Sequence, residues 1–171
     1  MIVSTYIDCW PWPSVSVLLS PCGIMVKIIL LVAALCATAL GIDVHSCGDE
    51  YPHPTQVIVP GCNVMPCEVP NLSDFSFSVR FAPSFPTGTL AVDVSATLGD
   101  FNLPYETPDH LRDGCANIDG SCPLAAGQEV TLSGTAPVEA PLTRVTVRLR
   151  FEVTGDGGQK AVCFAADVRL I

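Results

Sequence analysis

Tryptophan is almost missing from this sequence; its two copies, Trp10 and Trp12, both fall near the start. Basic residues are scarce too, with eight Lys and Arg against 17 Asp and Glu and a net charge of −9. That balance argues against a nucleic-acid partner, whose phosphates demand a basic face, and against strong attraction to anionic lipid head groups. No apolar run reaches the roughly 20 residues a helix needs to span a bilayer. No segment carries a long helical stripe, and no repeat is present. There is no Gly-x-Ser-x-Gly elbow, His-Glu-x-x-His helix or Cys-x-x-Cys pair, the arrangements by which many hydrolases, metalloproteases and thioredoxin-like proteins are recognised.

The remaining polar candidates are thin. His45 and His53 flank Cys47, and His110 sits beside Asp109. Without a converging nucleophile and orienter they read as solvated turn histidines. Asp109, Asp113 and Asp119 do not have the spacing of an EF-hand loop. Neither catalytic residues, a metal nor a cofactor is expected, and the chain is not read as an enzyme.

Met25-Val-Lys27 leads into the apolar run from Ile28 to Leu40, which ends in small residues. A short basic start, a hydrophobic middle and small-x-small positions (Ala37 and Ala39, or Ala39 and Gly41) form a secretory signal over residues 25–41. Residues 1–24 lack a basic residue and read as an upstream extension, so the folded domain is expected at 42–171, outside the cell or in a lysosome.

Of nine cysteines, Cys9, Cys22 and Cys36 leave with the leader, and Cys47, Cys62, Cys67, Cys115, Cys122 and Cys163 remain. An even set in a secreted domain reads as a disulfide framework, although six cysteines allow 15 pairings. Closeness along the chain points to Cys62–Cys67 and Cys115–Cys122 as local loops, leaving Cys47–Cys163 to join the ends. A zinc site would want tighter spacing and a paired histidine.

Four segments alternate with period two. FSFSVRF puts Phe75, Phe77, Val79 and Phe81 on one face; TLAVDVSATL does so with Leu90, Val92, Val94, Ala96 and Leu98. VTVRLRFEV and AVCFAADVRLI follow suit, the first through Val145 to Val153 and the second through Val162 to Leu170. These are strands with one buried and one wet face. Weaker strands are expected over Thr55–Val59 and Gln128–Leu132. Short strands with frequent turns and little helix give an all-β fold, a two-sheet β-sandwich of immunoglobulin-like type. Asn71-Leu-Ser73 is an N-glycosylation sequon in a turn ahead of the first strong strand.

The series DVHSCG, VIVPGCNVMPC, PDHLRDGCANIDGSCPL followed by GQEV, and GDGGQKAVCFAADV resembles the ML lipid-recognition family across nearly all of residues 43–171. The resemblance implies a sandwich whose sheets part around one lipid, with the cysteines bridged first to sixth, second to third and fourth to fifth. It places the lipid-binding positions at Val59, at Phe77, Val79 and Phe81, at a mouth aromatic near Tyr105, at Pro137 and Val138 on the opposite lip, and at Phe151 and Phe164. The last two stand where sterol-transferring members carry tryptophan, so the apolar surface is kept while the indole donor is lost.

The expected function is therefore that of a secreted lipid carrier, with a sterol as first cargo and a fatty acid as a second, handing it to a membrane sterol-acceptor protein. Two other readings are recognition of bacterial lipids in innate immunity and, in a different class, a solid-core extracellular interaction module. The bacterial-lipid role wants a cationic rim, which only Arg144, Arg148 and Arg150 offer as a local group.

Overall fold

The structure is a computed structural model that describes residues 41–171. The expected extension and all of the expected signal but Gly41 lie outside the described residues. Nine strands follow in order: β1 (His45–Ser46), β2 (Gln56–Ile58), β3 (Cys67–Val69), β4 (Ser73–Phe81), β5 (Ala91–Leu98), β6 (Phe101–Leu103), β7 (Val130–Val138), β8 (Val145–Thr154) and β9 (Lys160–Leu170). A one-turn helix α1 (Asp109–Arg112) and a 3-10 turn at Gly114–Ala116 lie between β6 and β7.

The strands form two sheets. One is three-stranded, in the order β2-β4-β7; the other is six-stranded, running β1-β9-β8-β5-β6 with β3 added beside β9. β9 pairs along one edge with β8. Its other edge takes β1 at Phe164 and Ala165, then β3, in parallel, from Val168 to Leu170. The two layers are the architecture expected from the alternating segments: each strand must bury one apolar face, and a second sheet supplies the cover.

β7 is longer than its expected segment. It runs to Val138 and pairs with the whole of β4, Phe81 opposite Val130 and Ser73 opposite Val138. Gly134 and Pro137 hid it, because both weaken a strand pattern read from sequence. Pro137 is tolerated because β7 edges its sheet. Gly134 is required by packing, since a Cβ there would stand 2.5 Å from Leu111 Cδ2 and 3.0 Å from Phe77 Cζ. β2 keeps only three of the five residues read at Thr55–Val59. His45 lies in β1 rather than in a turn, its Nε2 3.2 Å from Asp167 Oδ2.

Disulfides close Cys47 to Cys163, Cys62 to Cys67 and Cys115 to Cys122, with Cα separations of 5.8, 5.4 and 5.6 Å. The first ties the N-terminal segment across β9, where the Cys163 N–H also donates to the Pro52 carbonyl at 2.8 Å. This cover explains why Ala161, Cys163 and Ala165 are buried although they face away from the second sheet.

The core is not uniform along its length. Down β4, Phe75 and Phe77 are half-buried while Val79 is 0% and Phe81 1% exposed. On β8 Val145 and Leu149 are half-buried and Val153 is 0% exposed, although Val147 between the first two is buried. Leu90, Leu124, Leu132 and Val162 complete the tight end. Side chains that alternate inward yet stay partly accessible mark the other end as incompletely filled.

Candidate functional site

The loose end is built by the upper halves of β4, β7, β8 and β9. The segment after β6 and the β7–β8 connection close over it. Inside are two voids. An outer one of about 160 Å³ lies among Phe75, Tyr105, Val138, Leu142, Val147 and Leu170. An inner one of about 60 Å³ lies among Val59, Phe77, Leu111, Phe151 and Phe164. Phe75, Tyr105, Ala136, Leu149 and Val168 border both, so they form the partition between the two spaces. Even joined, the voids remain below the roughly 300 Å³ at the small end of ligand pockets. A guest of any size must therefore move this partition or the lips.

Three rings set the floor. Phe151 and Phe164 are cross-strand partners on β8 and β9, with centroids 5.2 Å apart. Phe77 reaches from the other sheet to meet Phe151 edge-on at 5.3 Å. Aromatic pairs in such tilted and edge-on geometry attract beyond their buried area, which makes this cluster a rigid base. Phe75 continues the ladder 6.4 Å from Phe77 and is half-buried, so it is the freer ring.

Of the positions the resemblance singles out, Val59, Phe77, Phe151 and Phe164 line the inner void, Pro137 and Val138 the outer, and Tyr105 both. Val79 and Phe81 line neither; they sit in the packed end below the rings. Phe75, Leu149 and Val168 were legible only as inward-facing strand positions. Val69, Ala136 and Leu142 gave no signal, because β3 is three residues long and the β7–β8 connection has no periodicity.

The mouth segments are held by polar contacts. Val94 N–H donates to Thr107 Oγ1 at 2.8 Å, and Arg112 Nε donates to the Thr107 carbonyl at 2.9 Å, fixing the loop that carries Tyr105. Burial raises the Tyr105 pKa, so the phenol stays protonated at physiological pH. On the opposite lip Asn71 pairs with the backbone of Ala140.

Several charged side chains pair with one another away from the mouth. Arg148 donates twice to Asp167, at 2.8 and 3.0 Å, and these bonds hold the Asp167 carboxyl below its usual range. Arg150 donates to Glu152 at 3.1 Å and stacks 5.2 Å over the Tyr51 ring. Burial pushes the Glu152 pKa up, but hydrogen bonds from Lys160 and Arg150 outweigh it and the net shift is downward. Arg148 and Arg150 therefore form neutralised pairs, leaving exposed Arg144 alone of the three arginines expected to form a local cationic group. His110 Nε2 lies 2.8 Å from the Thr135 carbonyl, tying α1 to β7, and His53 Nδ1 lies 3.1 Å from the carbonyl of its neighbour Pro54. Among the described residues no helix is long and apolar enough to cross a membrane.

This is the build of a sandwich that keeps room between its sheets instead of closing them completely. The chain belongs to the ML-domain family, whose family model matches residues 41–170. It is 23% identical over 144 residues to the NPC intracellular cholesterol transporter 2 homolog a of Drosophila melanogaster, spanning 83% of this chain and 96% of that protein. It is 25% identical over 126 residues to the ecdysteroid-regulated 16 kDa protein of Manduca sexta, spanning 72% of this chain and 85% of that one. In fold it resembles the crystal structure of a Niemann-Pick type C2 protein from Japanese carpenter ant, with a TM-score of 0.66 at 19% identity, covering 75% of this chain and 99% of the other.

Proposed function

We propose that this protein is a secreted, non-enzymatic carrier that takes one hydrophobic ligand, a sterol first, between its two sheets and passes it on. The observation that carries the reading is the burial gradient along β4, tight at Val79 and Phe81 and half-buried at Phe75 and Phe77, beside half-buried Leu149 on β8. A core that needed no guest would have no reason to leave aromatic and leucine side chains half-covered at inward positions. The similarity to a cholesterol transporter homologue supports sterol-class cargo. So does the wall chemistry. The floor is phenylalanine and valine, and the polar groups near the mouth, Tyr105 and Glu139, are enough to anchor a single hydroxyl.

Binding then draws on apolar burial at about 25 cal/mol per Å² removed from water. Shape decides which cargo fits, because there are few polar groups to read head groups. Bacterial lipid recognition is less well supported, since Arg148 and Arg150 are already paired with Asp167 and Glu152. Delivery to a membrane sterol-acceptor protein fits the mouth end, where Leu72, Phe101 and Leu142 expose apolar side chains.

The test is extraction of lipid from the purified protein with mass spectrometry, alongside titration of the delipidated protein with a fluorescent sterol. Co-purifying sterol and saturable probe binding, weakened when Val138→Trp fills the lip, are expected. Acylated bacterial lipid would favour the immune reading. No lipid and no probe binding would leave a solid-core module.

A further inference from the structure

The half-buried amide of Asn71 does more than end a turn. Its Nδ2 donates to the Ala140 carbonyl at 3.0 Å, and its Oδ1 accepts from the Ala140 N–H at 2.9 Å. Oδ1 also accepts from the Leu72 N–H at 3.0 Å. Two N–H groups aimed at one atom fix it as the oxygen and settle the orientation of the amide. One side chain thus grips both backbone groups of a residue 69 positions away. Ala140 belongs to the stretch Glu139–Leu142 that roofs the outer void. The neighbouring Leu72 sits at φ 58°, a conformation leucine rarely adopts, and its N–H also donates to the Val138 carbonyl at 2.8 Å.

We infer that Asn71 is the latch of the mouth, and that an N-linked glycan on Asn71 and the closed latch exclude each other. The reason is which proton is used. Because Oδ1 and Nδ2 meet the N–H and C=O of one residue side by side, the donated proton is the one on the Oδ1 side of Nδ2. Glycan transfer from a lipid-linked oligosaccharide forms the Nδ2–C1 bond, releases a proton from Nδ2 and frees the lipid pyrophosphate. The resulting secondary amide prefers the trans arrangement, which sets C1 anti to Cβ and hence on the Oδ1 side. The sugar therefore replaces the proton that the latch donates. Unmodified Asn71 holds the roof over the outer void; glycosylated Asn71 releases it. The consequence for ligand entry rests on the carrier reading, but the latch itself does not.

The experiment compares the full chain made in cells with and without N-glycosylation, together with Asn71→Ala and Ser73→Ala, the latter keeping the amide and removing the sequon. Hydrogen exchange at the Ala140 amide reports the latch, and the association rate of a fluorescent sterol reports the mouth. In unglycosylated Asn71→Ala and in glycosylated wild type, Ala140 protection should drop on the order of tenfold, the weight of about one hydrogen bond. Sterol association should quicken in step, and Ser73→Ala should keep Ala140 protected in both hosts. Unchanged protection in Asn71→Ala would overturn the latch. Full protection of the Ala140 amide in the glycoform would overturn the exclusion. Should no form bind sterol, the carrier reading fails while exchange still decides the latch; should the latch open with no change in sterol association, gating fails and the carrier reading stands.

Discussion

Phe77 meets Phe151 edge-on, 5.3 Å between ring centroids, joining the three-stranded sheet to the six-stranded one. Phe151 is 6% exposed and also packs on Phe164, whereas Phe77 is half-buried. Phe151→Ala should therefore destabilise the fold by about 3–5 kcal/mol, the usual cost of deleting a buried ring. Phe77→Ala should cost clearly less. Urea denaturation of both variants gives the order; equal losses would mean the floor is not held as described.

Gly134 faces inward on β7, where Leu111 and Phe77 occupy the space a Cβ would need. Gly134→Ala should cost about 1–3 kcal/mol through forced displacement of those side chains. A thermal melt would show it. A neutral result would mean that α1, which carries Leu111, yields freely.

The disulfides differ in what they constrain. Cys47–Cys163 spans 116 positions and Cys62–Cys67 only five. On the chain-entropy account, replacing the first pair with serine should cost about 5 kcal/mol and the second about 2. Denaturation under identical conditions would rank them, and the opposite ranking would place the stabilisation in local strain or packing.

Four carboxylates bear on pH. The Asp119 pKa is lowered first by the Thr131 backbone N–H, that of Asp156 by the Thr89 hydroxyl and the Gly88 N–H, that of Asp167 by Arg148, and Glu152 ends below its usual value as described above. A carboxyl with a lowered folded pKa adds stability that is fully present above its unfolded value, about 3.9 for Asp and 4.3 for Glu, and is lost as pH falls through the folded value. From these groups the melting temperature should hold between pH 7 and pH 5 and drop below about pH 4. Melts at pH 7, 5 and 3 followed by circular dichroism test this; loss between 7 and 5 would contradict it.

The strands that shape the interior were legible because their inward positions alternate: Phe75 to Phe81 on β4 and Val145 to Val153 on β8 needed only the period of two. The local cysteine pairs were legible from spacing. Periodicity could not separate the void-lining Phe77 from the core residue Val79, two positions on, because both face inward and only the distance from the mouth distinguishes them. Nor could it show the hold of Asn71 on Ala140, a contact between two aperiodic turns. Strand alternation gives the face of a side chain, whereas a void depends on how far apart the sheets stand at each level.

The measurement that bears most directly on the account is a crystal structure of the delipidated protein reloaded with a sterol. The account predicts sterol density between the sheets, resting on Phe77, Phe151 and Phe164, with Phe75 and Tyr105 displaced so that the two voids become one. Sterol on the outer surface, or an interior unchanged and closed at saturating sterol, would contradict it.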